Sequence, residues 1–370
     1  MATATVCMSE SVRMVSFRTL PLRPPKRQTQ VMTNKITVYG ATGHTGRFVV
    51  AELVRQGFTP IVSGRNAEAL KRLWPDFEAR PAAADDAQAL DAALLGADAV
   101  INAAGPFAVT AAPVAAAAVR AGIPYVDVAA EIEANVDTFA AFGHALTPIV
   151  PAMAFYGGLG DLLVTAALGD RTSADEIVVA YGLSSWHPTP GTRAAGKVSH
   201  DRRNGRRVRF ADGALQYHDD PSDQEDWQFP EPLGTRRMIS EFTMADIVTI
   251  PSHIDVPSVR TAMTLEAAGD LAQADTPAPK AVDDAGRSDQ TFVVDVLVRT
   301  KDGDLRASAH GQDIYAITAP LAVGAVRRLL AGEGRTTGVA SAGSMFDPAD
   351  FLAELKPYLT VRIASSTSGS

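Results

Sequence analysis

Lys35-Ile36-Thr37-Val38-Tyr39-Gly40-Ala41-Thr42-Gly43-His44-Thr45-Gly46 is the stretch on which the reading of this chain turns. A short β-forming run closes in three glycines, and Thr45 to Gln56 continue as a helix that Gly57 ends. Strand, glycine turn and helix in that order make a dinucleotide loop. Gly40 permits the tight turn, Gly43 lets backbone approach a pyrophosphate, and Gly46 lets the helix pack on the strand. The spacing is G-x-x-G-x-x-G rather than G-x-G-x-x-G, and the helix N-terminus offers unpaired N–H groups and positive dipole to phosphate. Thr42, His44 and Thr45 share the loop and count with the glycines as expected cofactor contacts, His44 facing either a phosphate or the nicotinamide side.

Working outward, short apolar runs alternate with Ala-rich helical ones. Strands are expected at Thr59–Ser63, Phe77–Ala84, Ala97–Ala103, Tyr125–Val128 and Thr147–Val150, with helices between them, Asp85 or Asp86 capping one and Gly122 ending another. Such βαβ units build a doubly wound parallel sheet. After about Ala174 the texture changes to strands separated by polar loops (Glu176–Leu183, Arg207–Phe210, Thr291–Arg299), which predicts an antiparallel sheet packed on one face. Residues 272–289 read as a mobile loop, and Ala319–Leu330 and Pro348–Leu355 as closing helices.

The fold expected is therefore α/β: a Rossmann domain over 32–150, a second, mixed α/β substrate domain over 151–318, and helices plus a flexible tail over 319–370. Residues 1–31 carry five basic groups against one acid and the only cysteine, Cys7. They read as a disordered or transit-like leader ahead of Met32. With a net charge of −8 and a leader that is basic, the remainder is acidic, which argues against nucleic acid as a partner. The run Arg202-Arg203-Asn204-Gly205-Arg206-Arg207 is read as a solvated hairpin tip around Asn-Gly. One cysteine and no paired His spacing leave metal and thiol chemistry unsupported, and the composition suits a soluble cytoplasmic protein without a membrane span. A homo-oligomer is compatible with all of this.

The second strand ends Val62-Ser63-Gly64-Arg65-Asn66, so an arginine stands where an acid would bind a free ribose hydroxyl. A guanidinium fork holds a 2′-phosphate, with Ser63 and Asn66 as added donors, which selects NADP(H) over NAD(H). At the end of the fourth strand, Asn102, Ala103, Ala104 and Gly105 are small enough for a nicotinamide ribose to lie near backbone. Tyr125, Asp127 and Glu131, at the end of the fifth strand, are the candidates for managing a proton beside a hydride transfer. Tyr156 and Asp161, in the Phe155–Asp161 glycine loop, are weaker candidates, and Arg193 and Lys197 are conceivable clamps for an anionic substrate.

Gly40–Gly46, Ser63-Gly64-Arg65, Asn102–Phe107, and Tyr125 to Asp127 with Glu131 recur in that order in saccharopine dehydrogenase-like proteins, which this chain resembles through residues 35–165. The resemblance is looser at Pro190-Gly191-Thr192 and Ile314–Thr318. It implies an NADP(H)-dependent oxidoreductase whose middle section covers the nicotinamide and whose closing helices return to the Rossmann domain. The substrate would be a small molecule or an acyl chain, reduced at an enoyl bond or an imine. Ala130 stands where that group often has glycine, and the middle section is short. No tyrosine has lysine four positions on, which excludes an ordinary short-chain reductase. An NADP(H)-sensing regulator of NmrA-like character, without turnover, is the alternative reading; an assembly subunit with an idle Rossmann fold is another.

Overall fold

The computed structural model describes residues 33–364. The leader reading of 1–31, Cys7 and the end of the expected tail at 365–370 lie outside the described residues. Strands and helices alternate from the start: β1 (Lys35–Tyr39), α1 (His44–Arg55), β2 (Thr59–Gly64), α2 (Ala67–Leu73), β3 (Glu78–Pro81), α3 (Ala87–Leu94), β4 (Ala99–Asn102), α4 (Phe107–Ala121), β5 (Tyr125–Asp127), α5 (Ile132–Phe142) and β6 (Pro148–Val150). A tight turn over Phe155–Leu159 leads into α6 (Gly160–Leu168). The chain then runs β7 (Glu176–Leu183), α7 (Pro190–Arg202), β8 (Arg207–Ala211), β9 (Ala214–His218), β10 (Gln224–Gln228) and β11 (Thr235–Ile239). It continues with α8 (Asp246–Thr249), β12 (Val259–Thr264), α9 (Leu265–Ala272), β13 (Thr291–Thr300) and β14 (Gly303–Gln312). It closes with α10 (Ile314–Leu330), β15 (Gly338–Val339), α11 (Ala342–Met345), α12 (Pro348–Glu354) and β16 (Thr360–Ile363).

The first sheet is parallel throughout, in the order β15-β6-β5-β4-β1-β2-β3. From β1 the chain winds outward through β2 and β3, then returns to wind the other way through β4, β5 and β6. That reversal between β1 and β4 is the switch point at which open α/β sheets bind ligands, outside the carboxyl ends of their strands. Local chemistry fixes the helix starts. Asn66 and Asp86 each accept the amide of the third residue on, from Ala69 and Ala89, at 3.0 Å. Gly122 ends α4 at φ 69°.

The second sheet runs β10-β11-β12-β7-β13-β14-β16, with the β8–β9 hairpin attached to β12. It is mixed, not antiparallel as expected, because β7 and β12 pair in parallel. Seventy-odd residues of helix and hairpin separate those two strands, enough for a crossover, and alternation within each strand gave no sign of it. The arginine-rich run is likewise not a hairpin tip. Asn204 and Gly205, at φ 54° and 76°, close α7, and the Gly205 amide donates to the His200 carbonyl at 2.9 Å. The hairpin turns instead at Asp212-Gly213, where two positive φ values (53° and 74°) suit a two-residue connection.

α10 packs on α1 and reaches β4 and β5, α11 and α12 pack on α6, and β16 joins the second sheet. One apolar core runs through both sheets, from Val38, Ile101 and Val126 to Val179, Val294 and Val296, by way of Phe155, Leu159 and Leu162. The closest backbone approach lies under α1. A Cβ at Gly46 would stand 2.1 Å from the Gly40 carbonyl oxygen. Gly46→Ala is therefore expected to force α1 off β1 and destabilise the protein by about 1–3 kcal/mol. Urea unfolding measures it; an unchanged midpoint would mean the turn relaxes freely.

Candidate functional site

A cleft of about 1320 Å³ opens at the carboxyl ends of β1, β2, β4 and β5. Its floor at one end is the glycine loop: Gly40, Thr42, Gly43, His44 and Thr45 line it, with Arg65 and Asn66 beside them. α1 begins at Gly43 with no side-chain cap and no acid in its first turn, unlike α2 and α3 with their Asn66 and Asp86 caps. Its first N–H groups are thus left for an anion, which is what a pyrophosphate needs. Arg65 is exposed and makes no hydrogen bond or ion pair among the described residues. Asn66 uses its carbonyl oxygen on α2 and keeps its amide N–H₂. These residues fit a dinucleotide carrying a 2′-phosphate.

Ala103, Ala104 and Gly105 line the middle of the cleft. A Cβ at Gly40 would meet Ala104 N at 2.7 Å, so the two loops touch backbone to backbone. Three expected contacts are not on the cleft wall. Gly46 is buried in the first turn of α1. Ser63 is buried and donates its hydroxyl to the Arg80 carbonyl at 2.7 Å, so it cannot serve a phosphate. Asn102 is buried as well; its amide donates to Tyr125 Oη and Thr110 Oγ1, and its oxygen accepts the Ala104 amide. It shapes the loop rather than facing the ligand.

The three acid–base candidates separate. Tyr125 and Asp127 are fully buried behind the wall. Tyr125 donates to Asp127 Oδ2 at 2.8 Å, and the carboxylate also accepts the amides of Ala129 (3.0 Å) and Ala152 (2.8 Å). Asp127 thereby ties β5 to the turn after β6, and the pair is corrected to a structural role. Burial outweighs those bonds and pushes the Asp127 carboxyl up to about 6. Glu131 is different: it lines the cleft. Both its oxygens accept the Phe107 amide, at 2.8 and 3.1 Å, at the start of α4, and burial raises it to about 7.

The far end of the cleft is aromatic. Tyr156 lies tilted against Trp186 (ring centroids 5.2 Å) and meets Tyr181 edge-on (4.9 Å). His44 meets Tyr315 edge-on at 5.1 Å, and burial lowers its pKa, so it is neutral at pH 7. Tyr315 Oη gathers Trp186 Nε1 (3.2 Å), the Thr189 amide (3.3 Å) and Thr192 Oγ1 (3.1 Å), joining α10 to the start of α7. Arg193 lines the cleft but donates to the Gln273 and Thr276 carbonyls, and Lys197 lies outside it, paired with Asp201. Asp161 is remote, bound to His253 Nε2 and the Gly343 amide at 2.7 Å each. Trp186, Phe242 and Met244 were not signalled by the sequence, since they stand in segments without periodicity. Among the described residues no group of three or more His, Cys, Asp or Glu could hold a metal ion, and no helix is long and apolar enough to cross a membrane.

Residues 36–147 match the family model for the saccharopine dehydrogenase NADP binding domain. The nucleotide-binding domain belongs to that family. The cofactor that this portion of the chain binds is NADP(H). A search of the curated proteins gives no match. Among solved structures, saccharopine dehydrogenase (L-Glu forming) from Saccharomyces cerevisiae is 12% identical, with 90% of this chain and 100% of that one covered at a TM-score of 0.61. That likeness extends the shared fold beyond the nucleotide-binding domain. A short-chain dehydrogenase/reductase superfamily protein from Agrobacterium tumefaciens is 28% identical over 28% of this chain and 34% of that one, TM-score 0.23. Serine dehydrogenase from Escherichia coli is 12% identical over 32% and 80%, TM-score 0.26.

Two outcomes follow from this geometry. Arg65→Ala should weaken NADPH binding at least tenfold and leave NADH binding nearly unchanged, read by nicotinamide fluorescence; equal loss for both would remove Arg65 from the 2′-phosphate. The second concerns pH. Asp246 is buried beneath the Phe155–Leu159 turn, accepts Tyr181 Oη at 2.8 Å, and burial raises its carboxyl to about 7. Its ordinary value is near 4, so between those limits the folded state holds the extra proton. The stability this group contributes is complete below about pH 4 and is lost as pH rises through about 7. Asp246→Asn should flatten that decline in denaturation midpoints across this range, and parallel curves would contradict it.

Proposed function

We propose that the chain reduces an activated carbon–carbon double bond in an apolar acyl or enone substrate. The observation that carries this reading is the chemistry of the cleft beyond the glycine loop. Phe107, Phe155, Trp186, Phe242, Met244 and Leu271 wall it. The cations that border it are already engaged. Arg193 holds two backbone carbonyls, and Arg203 faces Glu133 at 3.6 Å. An imine built from amino acids would bring carboxylates into this space, and a buried carboxylate needs a partner cation. An apolar chain needs none.

In this reading the 32–150 portion binds the nucleotide, the 151–318 portion covers its nicotinamide end, and the segment from 319 returns to brace α1. Thr42, Gly43, His44 and Thr45 with the α1 N-terminus would hold the pyrophosphate, and Arg65 with Asn66 the 2′-phosphate. Ala103, Ala104 and Gly105 would pass beneath the nicotinamide ribose. Bound NADPH supplies a hydride, and the second hydrogen reaches the product from solvent as a proton. Glu131, on the wall and raised to about 7 by burial, is the carboxyl suited to pass that proton near neutral pH.

The test is NADPH consumption with trans-2-enoyl thioesters of graded chain length beside mixtures of oxo acids and amino acids. kcat/KM should rise about threefold for each added methylene until the cleft is filled. Trp186→Ala should blunt that rise. Preference for the oxo acid mixtures would overturn the reading, while NADPH binding without turnover of either class would favour a nucleotide sensor.

A further inference from the structure

Three wall residues of the cleft carry a buried polar atom without a hydrogen bond: His44 Nε2, Tyr156 Oη and Arg203 Nε. Arg203 already has Glu133 as a counter-charge. The other two lie at the same end: Tyr315 meets His44 edge-on and accepts from Trp186, whose ring lies beside that of Tyr156. The neighbouring aromatic side chains are all satisfied. Tyr181 donates to Asp246, Trp186 Nε1 donates to Tyr315, and Tyr315 is bonded to α7. Tyr156 alone among these tyrosines and Trp186 is left with an unused hydroxyl, in a side chain only 6% exposed.

The turn that presents Tyr156 is tightly held. Gly157 sits at φ +93°, and a Cβ there would meet Ala152 Cβ at 2.8 Å. A Cβ at the following Gly160 would stand 2.1 Å from Asp246 Oδ1. Tyr156 itself is held among the rings of Phe155, Tyr181 and Trp186. A rigid, protonated hydroxyl without a partner, in the wall of an apolar cleft, is a donor prepared for a ligand oxygen. Burial pushes its pKa well above the ordinary tyrosine value, which keeps the proton in place.

We propose that Tyr156 donates a hydrogen bond to the substrate's carbonyl oxygen and so fixes the acceptor end of the double bond in the cleft. The inference rests on the reading given under Proposed function. Negative charge gathers on that oxygen as the conjugated bond is reduced, so the bond strengthens toward the transition state.

Tyr156→Phe tests this with three readings on the full chain. The melting temperature without ligand should be unchanged or higher, because no hydrogen bond is lost. Decanamide, a saturated carbonyl ligand, should bind the NADP⁺ complex of the wild type, detected through tryptophan fluorescence, and bind the variant about tenfold more weakly. Enoyl thioester reduction should slow by about 10²–10³ with NADPH affinity unaltered. A fall of several degrees in melting temperature would reveal a structural partner and overturn the proposal. So would equal decanamide binding by both proteins, failure of the wild type to bind it, or reduction at the wild-type rate. If the wild type reduces no thioester yet decanamide separates the two proteins, the reduction reading fails and the assignment of Tyr156 stands.

Discussion

Two glycines six residues apart decide where α1 can lie. A Cβ at Gly46 would collide with the Gly40 carbonyl, and a Cβ at Gly40 would collide with backbone of the loop after β4. With neither present, strand end, helix start and neighbouring loop close to backbone contact at the switch point of the sheet. The helix then delivers its uncapped N-terminus to the one place where the parallel strands leave a crevice. Everything else at the cofactor end follows from that contact. Arg65 is set beside it by β2, Ala103 and Ala104 by β4, and α10 packs on α1 from the other side.

Polar groups in this protein fall into two populations that separate by partner rather than by depth. Asp127, Tyr125, Asn102 and Ser63 are buried and satisfied, and each ties one loop to another. Asp127 joins β5 to the turn after β6; Asn102 shapes the backbone that passes under the ligand. Asp246 does the same for the Phe155–Leu159 turn through Tyr181. Such carboxylates have raised pKa values because burial outweighs their hydrogen bonds, so a perturbed acid here marks a brace as readily as a reactive group. Glu131 and Tyr156 belong to the second population. They stand on the cleft wall, one holding a helix start and the other holding nothing.

The nucleotide-binding half was legible in the sequence because its signals are local. The run from Lys35 to Gly46 encodes strand, turn and helix with no help from the rest of the chain. Asn66, Asp86 and Gly122 mark helix ends by their own side-chain or backbone chemistry, and the structure places them there. The second half is written in long-range terms. Nothing near Glu176 announces that it pairs in parallel with a strand beginning at Val259. Asn204-Gly205 looks like a hairpin because the dipeptide tolerates positive φ, and closing a helix asks for the same tolerance. The site divided along the same line. Arg65 and the glycine loop could be named from spacing, whereas Trp186, Phe242 and Met244 reach the cleft from loops with no period to read. Tyr125 and Asp127 show the converse: the right strand end, with side chains turned into the core.

Substrate chemistry in a cleft of this kind is set as much by what its cations already do as by which residues are present. Arg193 and Arg203 both border the space, and a count of residue types would describe a site ready for carboxylates. Arg193, however, fastens α7 to the loop after α9 through two carbonyl bonds, and Arg203 faces a glutamate on α5. Freeing Arg193 would break two carbonyl bonds, and freeing Arg203 would leave the buried Glu133 without its counter-charge. The aromatic wall asks for no such exchange. Trp186, Phe155 and Tyr156 gain by covering apolar surface, and Tyr156 still has a donor to give. The ligand proposed above, with one carbonyl oxygen and a hydrocarbon body, would satisfy both conditions at once.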